Sequence, residues 1–466
     1  MDATTTDGTT AGPGRPVRYS EPTLAARAAR VLRDNDTGSV ITAAPRLYPH
    51  MWSWDAAFIS IGLARLDVRR AVAELETLFR AQWRNGMVPH IVFTDADAYF
   101  PGPDRWGTET AQDRPADVRT SGICQPPVHA IAVQRVLEIA RRSSPGECLD
   151  AERFARRIWP KLYAWHRWLV QYRTPGSSGL VAIVHGWESG MDNSPRWDVP
   201  YDAVQPGAAL PPYVRKDVRI VGDPSERPTD REYDRYLWLI EEMRRAGYDQ
   251  RKVVEHSSFL VGDVFITALF AVSCDVLVEL GKEFDEPAGL LDDLADWAAK
   301  AREAVAGSCH SVSGMARDRD VRAGRWLDTQ TVAGFSPLLC GGGSDDVQLR
   351  LLSLLDSDRW CGHPDLIAPV PPSVSPMRPG FNPRQYWRGP QWPVIVWLFS
   401  WAFDRRGWHD RARRLRDGGI RLADDGSFGE YYQPFTGEPL GSINQSWTAA
   451  VVLDWLCAGE RAASPK

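Results

Sequence analysis

Two kinds of helical segment alternate along this chain, and their order restricts the folds open to it. Some segments, such as 259–280 and 393–403, are apolar on nearly every face, and helices of that composition must be buried. Others, such as 151–172, carry apolar residues on one face and charges on the other. The expected helices cover 22–34, 52–66, 69–84, 122–142, 151–172, 256–280, 286–305, 327–340, 344–356, 388–404, 408–422 and 443–459.

A closed double ring satisfies both kinds of helix. The buried helices form an inner ring, and an amphipathic helix packs outside each of them. Short connections make consecutive helices antiparallel neighbours, and a superhelical array would show a fixed sequence repeat, which we do not find. We therefore predict an all-α protein, an (α/α)6 barrel. Such a ring needs most of the chain, so we expect residues 20–460 to form a single catalytic domain.

Long loops interrupt the helical order near residues 85–121 and 174–255, and both are rich in Pro, Gly and aromatic residues. Loops of this length in a compact domain are commonly functional, so we expect them to be lids over the mouth of the barrel. Helical character within 231–245 predicts that the second loop is partly folded. Residues 1–19 are rich in Thr, Gly and Pro, and we expect a disordered tail there rather than a secretory signal.

Composition restricts the partners of the chain. Its 55 basic and 60 acidic residues give a net charge of -5 and form no long basic stripe, so we expect no nucleic acid partner. We find no apolar run long enough to cross a bilayer and expect no membrane partner. Seven scattered cysteines without a CxxC pair argue against a disulfide framework or a zinc site and favour a cytoplasmic protein. A homo-oligomer is compatible with the sequence.

Tryptophan is unusually frequent, with 20 residues, and many lie beside Asp, Glu, Gln or Gly in short irregular stretches. An indole ring offers a flat apolar face to a ring-shaped ligand. Two interpretations are open, a large core rich in Trp and an aromatic binding cleft. The polar neighbours favour the cleft, because ligand pockets are mostly aromatic with a few polar groups.

Three acidic residues lie in such aromatic stretches near the ends of helices expected in the inner ring. Asp55 ends the sequence WSWD, Asp192 lies in ESGMDNSPRWD, and Glu430 lies in FGEYY. Inner-helix ends of a closed ring converge on one mouth, so we expect the three carboxyls to share a cleft. Taken alone, Asp55 is equally well explained as a helix N-cap.

Paired carboxyls among aromatic rings suit the hydrolysis of a glycosidic bond. One protonated carboxyl donates to the leaving oxygen, and a carboxylate on the opposite face activates water. A carboxyl packed among Trp rings is poorly solvated and stays protonated near neutral pH. This chemistry requires no metal or other cofactor, and we expect none.

The segments WSWD, ESGMDNSPRWD, YWRGPQWP and GEYYQPFTGEPLGSINQSW resemble glycoside hydrolase family 63, and within it the bacterial glucosylglycerate and mannosylglycerate hydrolases. The resemblance implies an (α/α)6 barrel that cleaves with inversion, with Asp192 as general acid, Glu430 as general base and Asp55 binding sugar hydroxyls. Inversion requires the two catalytic carboxyls to lie about 6.5–9.5 Å apart. The sugar contacts that it implies are Tyr48, Trp52, Trp54, Gln125, Trp187, Tyr386, Trp387, Gln391, Trp392, Gln445 and Trp447.

The substrate class implied is a small α-glycoside, with glucosylglycerate preferred to mannosylglycerate. Glycerate carries a carboxylate, for which a bidentate Arg is the natural partner. We assign this contact to Arg227 and Tyr233 in the second long loop, with Tyr99 of the first loop as a further candidate. The alternative for Arg227 is a solvated surface side chain.

Other functions stay open on the sequence alone. A hydrolase of neutral α-glucoside or α-mannoside oligosaccharides would need an open cleft, whereas two lids suggest a small enclosed substrate. An epimerase or lyase of the same fold is disfavoured, because epimerases of this shape use paired His and the histidines here are isolated. A carbohydrate-binding protein without catalytic activity would explain the Trp clusters but would not need both Asp192 and Glu430.

Overall fold

The structure, a computed structural model of the protein, describes residues 18–94, 99–219 and 223–459. Its α-helices are α1 (Glu21–Asp34), α2 (Ser53–Leu63), α3 (Val68–Arg80), α4 (Pro103–Trp106), α5 (His129–Ala140), α6 (Pro145–Arg173), α7 (Asp198–Asp202), α8 (Asp230–Arg245), α9 (Gln250–His256), α10 (Val264–Phe284), α11 (Ala288–Gly307), α12 (Ser336–Cys340), α13 (Asp345–Asp356), α14 (Pro393–Arg405), α15 (His409–Leu422) and α16 (Ser446–Gly459). Its strands are β1 (Met51–Trp52), β2 (Ile91–Val92), β3 (Ala182–Ile183), β4 (Val261–Gly262), β5 (Asp318–Asp320), β6 (Arg325–Leu327), β7 (Tyr431–Tyr432) and β8 (Pro439–Leu440).

Six helices form the inner ring, in which each contacts the next in the order α2, α5, α10, α12, α14 and α16, and α16 closes the ring on α2. The outer helices α3, α6, α11, α13 and α15 each pack against the inner helix that precedes them in the chain. The outer helix α1, which no inner helix precedes among residues 18–94, packs against α16. The predicted (α/α)6 barrel is therefore confirmed, with its first and last helices paired.

Burial and capping explain why these segments are helices. Every residue of α2 is buried, as expected for a helix that is apolar on all faces. Three outer helices, α3, α6 and α13, begin at side-chain caps, which satisfy backbone N–H groups that have no partner within the helix. The Asp67 side chain accepts from two backbone N–H groups of α3, and Ser144 forms a capping box with Glu147 at the start of α6.

Inner helices begin later than the sequence predicts. The chain enters α10 through β4, which pairs with β3 and β5, so the helix starts at Val264 rather than near residue 256. The prolines Pro126 and Pro127 lack the backbone N–H that a helix interior requires, and α5 starts at His129. Non-helical segments thus lead directly into α5 and α10.

The most apolar helix corrects one expectation. We expected no run that could cross a bilayer, yet α10 is long and apolar enough to do so by length and composition. In the structure 83% of the most apolar 18-residue stretch of α10 is buried, and the helix contacts α5, α6, α11 and α12. Burial inside the barrel explains this composition, as it does for other helices that are apolar on all faces.

The long connections contain short elements of their own. The segment between α3 and α5 carries β2 and α4, and the segment between α6 and α10 carries β3, α7, α8 and α9. The helical character predicted within 231–245 is confirmed by α8, which starts at a capping box of Thr229 and Glu232. The tail expected at the amino terminus lies outside the described residues except for Arg18 and Tyr19, whose backbone N–H donates to Asp424 at 2.8 Å.

Candidate active site

A cavity opens at the mouth of the barrel, where the segments that lead into the inner helices meet. Its empty volume, including the part open to solvent, is about 680 Å³. Most of the residues predicted for the site line it. They are Tyr48, Trp52, Trp54, Asp55, Gln125, Trp187, Asp192, Arg227, Tyr233, Tyr386, Glu430, Gln445 and Trp447.

Three predicted sugar contacts, Trp387, Gln391 and Trp392, lie behind the wall instead. The rings of Trp387 and Trp392 stack on each other with centroids 3.6 Å apart, and Trp392 also stacks on Tyr431. The Gln391 side chain is fully buried and donates to the backbone carbonyls of Ala368 and Val370. In the structure these side chains support the residues of the wall, and their role as sugar contacts stays a prediction.

The lining also contains residues that were not predicted, namely His90, Gly190, Pro228 and Tyr236, together with the further candidate Tyr99. Tyr236 lies one helical turn after Tyr233 on α8, so the spacing of three residues could have identified it. Gly190 has a φ of 68°, and a Cβ there would collide with the Trp54 ring. His90 is isolated in the sequence, so no spacing pattern could have identified it as a lining residue.

Hydrogen-bond donors surround the Glu430 carboxyl at the start of the β7–β8 hairpin. The Tyr48 hydroxyl donates to Oε1 at 2.8 Å, the Tyr386 hydroxyl to the same atom at 3.3 Å, and the Ser442 backbone N–H to Oε2 at 3.2 Å. Glu430 is only 1% exposed. Burial raises its pKa above the ordinary value, although the Arg227 guanidinium and the three donors act in the opposite direction. The donors therefore favour a carboxylate at this position.

Arg227 approaches the cavity from the second lid. Its Nη1 donates to the Tyr48 hydroxyl at 3.2 Å, and its guanidinium lies 4.5 Å from the centre of the Tyr386 ring. Its Nε donates to Asp217 of the same lid at 3.4 Å. Arg227 is 9% exposed, so the alternative of a solvated surface side chain is wrong.

Asp192 and Asp55 lie in a different environment from Glu430. Burial is the main cause that raises the pKa of Asp192, to about 7; the charge of Glu430 raises it further and Arg227 lowers it. Burial, followed by the charge of Glu430, also raises the pKa of Asp55 well above its ordinary value. Within the described part of the chain, no other residue donates a hydrogen bond to either side chain.

Asp55 is not the N-cap of α2. Trp52 occupies the cap position, and Asp55 lies in the first turn with its side chain on the cavity wall. The backbone N–H of the neighbouring Trp54 donates to the Gln125 side chain at 3.2 Å. This hydrogen bond connects the start of α2 to the segment that leads into α5. The capping alternative for Asp55 is therefore wrong.

A buried charge cluster supports the turn that carries Asp192. The Arg196 guanidinium pairs with Asp263, the N-cap of α10, and with Asp318 of β5. The Trp197 indole N–H donates to the Met191 carbonyl at 2.9 Å, directly before Asp192. The acid candidate is thus anchored to the start of an inner helix.

The lid helix α8 is joined to the aromatic wall through His185. The His185 Nε2 donates to the Tyr236 carbonyl at 3.1 Å, and its Nδ1 accepts from the Trp187 backbone N–H at 3.1 Å. The two hydrogen bonds define a neutral imidazole with the proton on Nε2. Burial lowers the pKa of His185 to about 3, in agreement with a neutral ring that positions Trp187.

A helical barrel with paired carboxyls in an aromatic cavity is the architecture of a glycoside hydrolase, and a family model supports this class. Residues 48–448 match the model described as mannosylglycerate hydrolase MGH1-like glycoside hydrolase domain. The chain belongs to this family, a branch of glycoside hydrolase family 63.

Individual relatives agree with this assignment. The chain is 57% identical over 440 residues to a glucosylglycerate hydrolase of Mycolicibacterium hassiacum, covering 94% of this chain and 98% of that protein. It is 39% identical over 431 residues to a mannosylglycerate hydrolase of Thermus thermophilus, covering 92% and 99%. A crystal structure of a family 63 mannosylglycerate hydrolase from Thermus thermophilus, in complex with Tris and D-glycerate, superposes with a TM-score of 0.84 at 39% identity, over 93% of this chain and 99% of that one.

Proposed function

We propose that the protein hydrolyses the α-glycosidic bond of glucosylglycerate to give glucose and glycerate, with mannosylglycerate as a second substrate. The preference for glucose is supported by the higher identity to a glucosylglycerate hydrolase than to a mannosylglycerate hydrolase. The observation that carries the proposal is the meeting of Asp192, Glu430 and Arg227 in one aromatic cavity. A catalytic carboxyl pair and a cation for the aglycone carboxylate are what this substrate requires.

In the proposed reaction Asp192 is the general acid and Glu430 the general base. The protonated Asp192 carboxyl gives its proton to the glycosidic oxygen, which leaves as the hydroxyl group of glycerate. Glu430 takes a proton from water, and the water oxygen forms the new bond to the anomeric carbon from the opposite face. The sugar leaves as the β-anomer because the configuration is inverted. The raised pKa of Asp192, about 7, supplies the proton near neutral pH.

The remaining lining residues have binding roles in this proposal. Asp55, Gln125 and Gln445 hold sugar hydroxyls, and the faces of Trp54, Trp187 and Trp447 pack against the apolar flank of the sugar. Trp52 and Tyr386 complete this wall. Arg227, with Tyr233 and Tyr99 from the two lids, holds the glycerate carboxylate. Lid residues form part of the cavity wall, which favours a small enclosed substrate over a neutral oligosaccharide.

The decisive experiment compares the release of glycerate and of sugar from both glycosyl-glycerates and from neutral disaccharides. Wild-type protein should prefer glucosylglycerate, and NMR of the first product should show β-glucose. D192N should lose activity on glucosylglycerate but retain it on α-glucosyl fluoride, whose leaving group needs little protonation. E430Q should lose activity on both. Equal turnover of neutral disaccharides, or α-glucose as first product, would contradict the proposal.

We further propose a single catalytic domain over residues 20–460 that works in the cytoplasm. None of the seven cysteines, all of which lie in the described residues, forms a disulfide, and four of them are buried, which suits a reducing compartment. Fractionation of the native host, with the activity assay as readout, tests this location.

A further inference from the structure

Outside the cavity wall, three charged residues join three segments of the chain. Arg384, in the loop before α14, donates from Nη2 to Glu226 Oε1 at 2.7 Å, and its guanidinium also pairs with Glu438. Glu226 directly precedes Arg227 in the second lid. Glu438 lies in the turn between β7 and β8, in the hairpin that follows Glu430. The Arg384 side chain therefore connects the lid to the hairpin of the base.

Glu226 is buried at this junction and is only 4% exposed. Burial raises its pKa, while hydrogen bonds from Arg384 and from the Gly441 backbone N–H lower it. The next backbone N–H, that of Ser442, donates to Glu430 at 3.2 Å. The lid carboxylate and the carboxylate of the proposed base therefore lie against neighbouring residues of one hairpin.

The loop of Arg384 reaches the cavity two residues later. The Tyr386 backbone has a φ of 37°, which turns the chain sharply after Arg384. The Tyr386 ring lies beneath the Arg227 guanidinium, and its hydroxyl donates to Glu430 at 3.3 Å. A displacement of Arg384 would therefore change the position of Arg227 through both Glu226 and Tyr386.

We propose that Arg384 is a positioning residue that fixes Arg227 over the aglycone side of the cavity and so sets the affinity for an aglycone that carries a carboxylate. This inference rests on the proposed function. Arg384 is absent from the described cavity wall, so it acts through Glu226 and not by contact with substrate. An Arg suits this position because its separate nitrogens bridge two carboxylates on different segments, which the single ammonium of Lys does less well.

The first test compares R384M with wild type on glucosylglycerate and on glucosylglycerol, its neutral analogue. We expect the KM for glucosylglycerate to rise about tenfold, because the two arginines belong to one network, while kcat changes little. The KM for glucosylglycerol should change much less. R378A is the matched control, since Arg378 is exposed in the preceding stretch of the same loop. An equal rise for both substrates, or no rise, would overturn the inference.

A double-mutant cycle tests whether Arg384 acts through Arg227. In the R227A background, R384M should raise the KM no further, and additive effects would contradict the proposed connection. Calorimetric titration with D-glycerate gives the same comparison without turnover, and R384M should bind it about tenfold more weakly. If wild type binds D-glycerate but does not cleave glucosylglycerate, the proposed function fails while this test of Arg384 still stands. Should R384M not fold, E438Q removes one of the two negative charges that pair with Arg384. Unchanged D-glycerate binding by that variant would count against the inference.

Discussion

The Tyr48 hydroxyl donates to Glu430 Oε1 at 2.8 Å and accepts from Arg227 Nη1 at 3.2 Å. One phenol therefore lies between the proposed base and the proposed carboxylate-binding cation. Burial raises the pKa of Tyr48 well above its ordinary value, although the charge of Arg227 lowers it. The negative charge of Glu430 and the hydrogen bond from Tyr48 to Glu430 add to the rise. The phenol keeps its proton, and Glu430 is held as the acceptor.

The Y48F variant should show which carboxyl governs each limb of the pH profile. Loss of a hydrogen bond to the Glu430 carboxylate raises the pKa of that carboxyl, so the acidic limb of kcat/KM should move about one to two pH units upward. The basic limb, set by Asp192 with its pKa of about 7, should stay in place. Rates of glucosylglycerate hydrolysis from pH 4 to 9 test this. A parallel shift of both limbs would contradict the separate roles.

Removal of the Asp192 charge should stabilise the protein at alkaline pH. Burial raises the pKa of Asp192 from 3.8 to about 7, so the native state binds a proton in that window that the unfolded state has lost. Stability contributed by this group is therefore present at low pH and is lost as the pH rises through 7. The Tm of D192N should exceed that of wild type by a margin that grows from pH 5 to pH 8. D410N, at an exposed carboxyl, should show no such trend.

The helical order of the barrel could be predicted because burial on all faces and burial on one face leave different periodicities in the sequence. The starts of the inner helices could not be predicted, because residues such as Val261 and Trp52 are apolar whether they lie in a strand or begin a helix. The sequence motifs predicted that Asp192 and Glu430 share one cavity. They did not distinguish the side chains that line the cavity from those packed behind its wall. Trp387 and Trp54 lie in similar aromatic motifs, and only the three-dimensional packing shows which ring faces the cavity.

Gly441 should be essential to the geometry of the base. Its φ is 70°, and a Cβ would collide with the Glu430 carboxyl and the Tyr431 ring. We expect G441A to lower kcat about a hundredfold, since a displacement near 1 Å at a reacting group has that effect. G380A is the matched control, because Gly380 has a φ of 83° and open space around it. Both variants should lose about 1–2 kcal/mol of stability from backbone strain, and only G441A should lose activity. Equal activities of the two would show that Gly441 serves only the turn.

Arg196 should be required for stability because it neutralises two buried carboxylates at the start of α10. It is 1% exposed, and its Nε and Nη2 donate to Asp318 at 2.8 and 2.7 Å. R196M leaves Asp263 and Asp318 buried without their cation, which should cost about 3–5 kcal/mol of unfolding free energy in urea titrations. R30A, which breaks the exposed pair of Arg30 and Asp34, should leave stability nearly unchanged. The double variant R196M/D318N should be more stable than R196M alone, because one unpaired buried charge is removed. If D318N instead adds a further loss to R196M, the cluster is held by packing rather than by charge neutralisation.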